Sequence, residues 1–371
     1  MLPLAPTATA GPMALPARRP GRRRWILLLV SLGVLVSAVI GAAIVPVPYV
    51  ALSPGSVRPV TEQVLVEGAP SYAPEESIAY TTVSVGSATL LEALAGWLDD
   101  DVDVLPEDRV RGDRSEDENR RYNAQLMDTS KLTAIAVALD YLGEDVDIRT
   151  TGTVVRQIAD GSPARAVLEL DDVIVAVDGA AVDAPDEIGV LLQVGGPGAE
   201  HALSLERPAG SAERIEVNIT TVAAEDDPSR AIIGISPEDR IVGFDFPIAV
   251  TIDSGTVGGP SAGLAFTLAV LDVLTPGELT GGHKVAVTGT MALDGTVGPV
   301  GGGAQKALTV RNGGYEVFLV PSAELDEVRE AVGNDVEVIA VDSLAEALEA
   351  LDSLGGNAGS LLAATAAETS S

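Results

Sequence analysis

From Trp25 to Val45 the chain runs through 21 residues without a charge (WILLLVSLGVLVSAVIGAAIV). At about 1.5 Å per residue a helix of that length spans roughly 31 Å, close to the hydrocarbon thickness of a bilayer. Such a helix satisfies its own backbone groups in lipid. The pattern therefore predicts a transmembrane helix over residues 25–45, with Trp25 at the interface. Arg18, Arg19, Arg22, Arg23 and Arg24 precede it, with no acid before residue 51. They form a basic arm, residues 1–24, expected to stay cytoplasmic, so the chain is read as single-pass in the cell membrane with residues 46–371 outside. A cleaved signal ending near Gly41 and Ala43 is the competing reading, against which the apolar run is long.

Beyond the span the periodicity shortens. Residues 46–60 carry four prolines and the Pro54-Gly55 pair, which predicts extended chain and turns. Residues 78–85 (IAYTTVSV) read as a strand. Leu90, Leu91, Leu94 and Leu98 recur at helical spacing. Residues 99–121 are dense in charge and predict a solvated loop or exposed helix. Ser130 is placed as the N-cap of a helix over 130–142. From Thr153 short strands and turns follow. The polar, proline-bearing stretch 223–230 suits a domain boundary. Strands and helices then alternate to residue 354, and 355–371 form a flexible tail of small and polar residues.

Composition narrows the chemistry. Lys+Arg is 23 against Asp+Glu 54, a net charge of −31, which repels phosphate backbones and argues against a nucleic-acid partner. Cysteine is absent, so thiolate nucleophiles, disulfides and thiolate metal sites are excluded. The histidines are His201 and His283, and the lysines are Lys131, Lys284 and Lys306. No metal and no cofactor is expected.

The run Asp160-Gly161-Ser162-Pro163-Ala164 and the strand Val173–Val177 before Asp178-Gly179 carry a turn into a short helix and a tight hairpin. Over residues 140–222 this pattern resembles the PDZ domain family. That resemblance implies a module that takes a chain end as an added strand. Its carboxylate loop maps onto Tyr141, Leu142 and Gly143.

Two later stretches carry candidate catalysis. Gly259-Pro260-Ser261-Ala262-Gly263 heads an apolar helix. Its glycines allow a sharp backbone approach, and unpaired N–H groups at a helix start attract developing negative charge. Pro299-Val300-Gly301-Gly302-Gly303-Ala304-Gln305-Lys306 follows the Asp294-Gly295 turn. A phosphate cradle is disfavoured because no Gly-Lys-Ser/Thr follows the glycines. His283 and Lys284 lie in a turn read as exposed.

Together the two stretches resemble the proteolytic domain of the Lon protease family, over roughly residues 232–345. The resemblance implies Ser261 as nucleophile and Lys306 as base, with Thr288, Gly259 and Ala262 in support. Asp253 falls in the segment that lines the family's groove, although a turn-capping role competes. Thr290 stands where many members have Glu. A serine hydroxyl needs a neighbouring base, and a lysine serves only when burial depresses its pKa. The reading therefore requires the Lys306 amine to meet the Ser261 hydroxyl.

The fold class expected is mixed α/β: a single transmembrane helix, a β-rich PDZ-like domain with two helices, and a Lon-type α/β proteolytic domain. The boundaries are drawn as 1–24, 25–45, an unassigned 46–127, 128–224 (PDZ-like), 225–354 (Lon-type) and 355–371. This arrangement resembles bacterial exported PDZ–Lon proteins of the YlbL type. It implies a membrane-anchored Ser-Lys endopeptidase acting on unfolded or flexible exported polypeptides. No ATP partner is expected, because no Walker A sequence occurs in the 371 residues. The resemblance also implies a homo-oligomer, as a hexameric ring. A catalytically silent, membrane-tethered peptide-binding scaffold is the alternative, and regulated cleavage of one partner is a third reading.

Overall fold

A computed structural model describes residues 22–74, 78–99, 101–112, 114–207 and 214–359. Most of the basic arm and the end of the tail, residues 360–371, lie outside them. Helix α1 (Arg22–Ile44) contains the predicted span, a 20-residue apolar stretch Trp25–Ile44 of mean hydropathy 2.7 with no part of it buried. It leads into β1 (Pro46–Pro59), β2 (Val64–Glu67) and β3 (Ala79–Thr89). Then come α2 (Leu90–Gly96), β4 (Asp103–Pro106) and α3 (Glu107–Arg111). Helix α4 (Glu116–Tyr141) is 26 residues long.

A β-rich stretch follows: β5 (Asp147–Ile158), β6 (Val173–Val177), β7 (Ala180–Ala181), α5 (Pro185–Leu192), β8 (Glu200–Glu206) and β9 (Arg214–Thr220). It closes with β10 (Val222–Ala223), β11 (Ala231–Ile232) and β12 (Ile235–Asp245). The last part holds β13 (Ala249–Ile252), α6 (Gly263–Leu274), β14 (Val285–Val287), β15 (Thr290–Met291) and β16 (Val297–Gly298). It ends with α7 (Gly303–Asn312), β17 (Val317–Val320), α8 (Leu325–Val332), β18 (Glu337–Ala340) and α9 (Leu344–Ser353).

The chain divides into two compact units, a smaller one within Met1–Gly55 and Val83–Asp117 and a larger one within Ser56–Thr82 and Glu118–Ser371. In the smaller unit β4 pairs antiparallel with β1 (Val50↔Leu105). Helix α2 is held by a Thr89–Glu92 capping box.

The larger unit is built on a parallel ladder, β18-β17-β14-β3, with β1 beyond β3. Its strands are buried on both faces, as parallel strands are. Val285, Val287, Val317 and Leu319 pack in one core cluster with α6, α9 and α4. Ala286, Phe318 and Val320 pack in another with α7 and α8. This period-two division sets α6 and α7 on opposite faces of one sheet. Helix α6 is apolar all round because nearly all of it is buried, including Leu264, Phe266, Leu268 and Leu271.

The β-rich module is inserted into this unit. Its sheet runs β12-β5-β6-β8-β9 around Val155, Ile174, Leu203, Leu205 and Ile219, with Ile188 and Leu192 of α5. Asp178 (φ 51°) and Gly179 (φ 78°) make the tight turn between β6 and β7. Arg207 pairs with the buried Asp172 across the module.

Three boundaries differ from the sequence reading. Residue 128 falls inside α4, whose Met127, Ile135, Ala138 and Leu139 pack against α6. Of the unassigned region 46–127, residues 56–82 and 118–127 belong to the larger unit and the rest to the smaller one. Ser130 is not a cap, because the charged residues from Glu116 form the helix's first turns. Residue 225 is no domain boundary: 224–230 is a hairpin turn joining β10 to β11, and β12 still pairs with β5.

Candidate active site

The C-terminal end of β14 is where the candidate residues meet. Thr288 follows β14 directly, and its N–H donates to Leu319 O at 3.0 Å. Carboxyl ends of parallel strands are the usual place for a site in such sheets.

On one side stands the loop that heads α6. Gly259 adopts φ 94°, which explains its residue type better than space does, since an added Cβ would come no nearer than 3.7 Å to Asn123. Its N–H donates to Asn123 O of α4 at 2.8 Å, and Ser130 Oγ of the same helix donates to Pro260 O at 3.1 Å. Gly263 is glycine for the opposite reason: an added Cβ would lie 2.7 Å from Met291 N and 3.2 Å from Ser130 Oγ. Helix α6 begins at Gly263, so Ser261 precedes it by two residues. Ser261 is half-buried and Ala262 is buried. Among the described residues, no acceptor pairs with the N–H of Ser261 or of Ala262.

On the other side is α7. Gly302 caps it in the left-handed conformation (φ 69°), and Glu327 Oε1 accepts the Ala304 N–H at 2.9 Å. One turn in, Lys306 is 2% exposed. Among the described residues no carboxylate lies within ion-pair distance of it. Its Nζ donates to Thr288 Oγ1 at 3.1 Å, and Thr288 Oγ1 donates to Ser261 O at 3.1 Å. Gly289 N–H bonds the same carbonyl at 3.0 Å. Burial pushes the Lys306 ammonium down from 10.5 to about 8, against the pull of Glu324 and then Glu327, which favour the charged form.

The structure thus gathers Ser261, Ala262, Thr288 and Lys306, with Gly259 shaping the loop. It replaces direct contact of the two side chains by a bridge: no hydrogen bond joins Ser261 Oγ to Lys306 Nζ among the described residues. Asp253 is exposed, and its Oδ1 accepts the Gly255 N–H at 3.0 Å, the turn-capping arrangement. Lys284 is exposed; His283 is partly exposed and pairs with Glu316 at 2.9 Å. His201 is buried in the module, with Nδ1 at 2.7 Å from Asp178.

Tyr141 ends α4, and Leu142 and Gly143 follow it in the turn before β5. Tyr141 and Leu142 pack against the core around α6. The strand that follows them, β5, pairs with β12 from Asp147 to Ile158 and with β6 at Thr153 and Val154. The chain's own return strand, β12, occupies one edge of β5.

Sequence reading found the second half of α4 but not its place at the site, and it missed Glu324. Asn123 and Ser130 lie 136 and 130 residues from their partners Gly259 and Pro260, so no local pattern marks them. Glu324 is buried; its Oε1 accepts the Val300 N–H at 3.0 Å, and its Oε2 is buried without a partner among the described residues. No group of three or more His, Asp or Glu suited to a metal occurs among the described residues.

Residues 243–352 match the family model of the Lon protease (S16) C-terminal proteolytic domain. The Lon protease of Clostridioides difficile (strain 630) is 37% identical over 107 residues, covering 28% of this chain and 13% of that protein. The Lon protease of Haemophilus influenzae is 32% identical over 139 residues, covering 37% of this chain and 16% of that protein. The chain therefore spans only a small part of the length of these relatives. Among solved structures, the PDZ domain of an SdrC-like protein from Listeria monocytogenes matches with 22% identity and a TM-score of 0.22. That match covers 24% of this chain and 92% of the other. The corresponding Listeria innocua domain matches with 21% identity and a TM-score of 0.21, covering 23% and 92%.

Proposed function

We propose that this protein is a membrane-anchored serine endopeptidase that works without nucleotide, with Ser261 as nucleophile and Lys306 as general base. The observation that carries the reading is Lys306 itself. A buried amine without an ion-pair partner among the described residues is costly for stability, and it is the state in which a lysine accepts a proton near neutral pH. With its pKa at about 8, about a tenth of the amine is neutral at pH 7.

The steps follow from the groups present. Thr288 holds the Lys306 amine beside the Ser261 main chain. Rotation of the Ser261 side chain brings its hydroxyl to that amine, and such contacts often tighten only with substrate. Lys306 takes the hydroxyl proton as Ser261 Oγ attacks the scissile carbonyl. The free N–H groups of Ser261 and Ala262 meet the developing oxyanion, where one donor is worth about 2.7–4 kcal/mol. Lys306 then returns the proton to the leaving amine, and water releases the acyl group by the reverse sequence.

Substrates in this reading are unfolded or flexible exported polypeptides, held by the inserted module and supplied outside the membrane that α1 crosses. A chain end would add at an outer strand of that sheet, β12 or β9. Assembly as a homo-oligomeric ring belongs to the same reading.

The test is hydrolysis of casein or a fluorogenic peptide by the full chain in nanodiscs, without ATP. Ser261→Ala and Lys306→Ala are each expected to abolish cleavage while circular dichroism stays unchanged. Undiminished cleavage by either variant would sink the assignment. No cleavage by the unmodified protein, with tight binding of peptides, would select the silent scaffold instead.

A further inference from the structure

Helix α2 is built inside out. Its small residues Ala93 and Gly96 are buried, while Leu90, Leu91, Leu94, Trp97 and Leu98 are exposed, Leu98 by 89%. The cause lies in β4 and the turn before it. A Cβ on Gly96 would lie 2.6 Å from Val104 Cγ2 and 3.2 Å from Val102 Cγ1. Only the small-residue face of α2 can sit against them, so the leucine stripe must point away. Nothing in the smaller unit covers that stripe among the described residues. A patch of this kind on a polar protein marks an interaction surface.

Its location identifies the partner. The N–H of Leu90, the first residue of α2, donates to Val45 O at 3.1 Å, one residue past the apolar span of α1. Helices α1 and α2 touch. Trp97 packs edge-on against Tyr49 with ring centroids 5.7 Å apart, and stays 56% exposed. Tryptophan and tyrosine favour the membrane interface, where one end of the ring is apolar and the other wet. The exposed stripe is thus continuous with a helix already read as crossing lipid.

We infer that α2 is a second membrane contact: the Leu90–Leu98 stripe lies in the headgroup region of the outer leaflet, beside the point where α1 emerges. This rests on the anchor reading of α1. The contact is apolar rather than electrostatic. Helix α2 carries no Lys or Arg, and Asp99, Asp101 and Asp103 follow it. Neutral phosphatidylcholine therefore suffices, and anionic lipid weakens the contact.

The protein contains just two tryptophans, Trp25 and Trp97, and no cysteine. A Trp25→Phe chain reconstituted in phosphatidylcholine nanodiscs reports Trp97 alone. A label on Leu35→Cys in the same chain reports the span. The expected result is a blue-shifted Trp97 emission, quenched more by lipid brominated near the headgroup than by lipid brominated near the chain end, with the Leu35 label quenched in the reverse order. A Leu91→Ser/Leu94→Ser/Leu98→Ser variant should return Trp97 emission toward its aqueous position. A quenched Leu35 label with Trp97 untouched by either lipid overturns the docking face and leaves the anchor standing. Quenching at Trp97 without quenching at Leu35 keeps the face and overturns the anchor. Shielding of Trp97 that follows protein concentration, with no lipid quenching, overturns the inference in favour of a second copy.

Discussion

Lys306 Nζ donates to Thr288 Oγ1 at 3.1 Å, and through that hydroxyl the lysine is tied to the main chain of Ser261. Thr288 is 1% exposed and sits where β14 ends, so the amine is aimed by the sheet and not by its own flexible stem.

Thr288→Ala should lower kcat by about 10²-fold with little change in KM, the size expected when a general base loses its orientation. Thr288→Ser keeps the hydroxyl and should recover most of the rate. Steady-state kinetics on one peptide decide it: a raised KM at constant kcat would show that Thr288 acts on substrate binding instead.

Peptidase activity should rise with pH through about 8, because burial has lowered the Lys306 pKa to that region and the neutral amine is the working form. Glu324 favours the ammonium. Glu324→Gln removes that pull, lowers the lysine pKa and should move the acid limb of the kcat/KM profile to lower pH. A limb that moves upward, or stays in place, contradicts this electrostatic role.

Asp272 offers a stability prediction away from the site. It is 1% exposed on α6, and burial raises its carboxyl from 3.8 to about 7, despite the Leu279 N–H it accepts at 3.1 Å. A carboxyl raised on folding favours the protonated native state. Stability from this group is complete below about 3.8 and is lost as pH climbs through about 7. Asp272→Asn should flatten that slope and raise the melting temperature above neutral pH, as measured by calorimetry across the window.

The grip of α4 on the loop of Ser261 divides between a side chain and a carbonyl. Ser130→Ala deletes the bond to Pro260 O and should cost about 1 kcal/mol of stability, together with some activity. Asn123→Ala leaves the carbonyl that holds Gly259 N–H and should be near neutral by denaturant titration and by kinetics. Equal losses in the two variants would mean that the Asn123 side chain carries a role of its own.

Gly259→Ala and Gly263→Ala should fail differently. The first forces a Cβ onto a backbone at φ 94° and should distort the loop, with activity lost and the fold kept. The second drives a Cβ against Met291 N and Ser130 Oγ and should lower the melting temperature, because overpacking typically costs about 1–3 kcal/mol.

The sequence was most informative where chemistry and conformation are local. Gly259, Pro260 and Gly263 around Ser261, and Gly302 before Lys306, announce themselves because turns and helix starts demand those residues within a few positions. The span of α1 is legible for the same reason, as one uninterrupted run. Helix α4 was not legible as part of the site: an inserted module separates Asn123 and Ser130 from the loop they hold. Leucine periodicity located α2 but not its orientation, since only the crowding of Gly96 against Val104 shows which face must turn inward.

Asp147 and Asp245 stand opposite one another as paired residues at the two ends of the inserted module. Everything between them enters and leaves the larger unit through one doorway, two strands wide. An accessory joined in this way is exchangeable: a lineage could trade it for another module, or shrink it to a hairpin, without re-threading the rest of the unit.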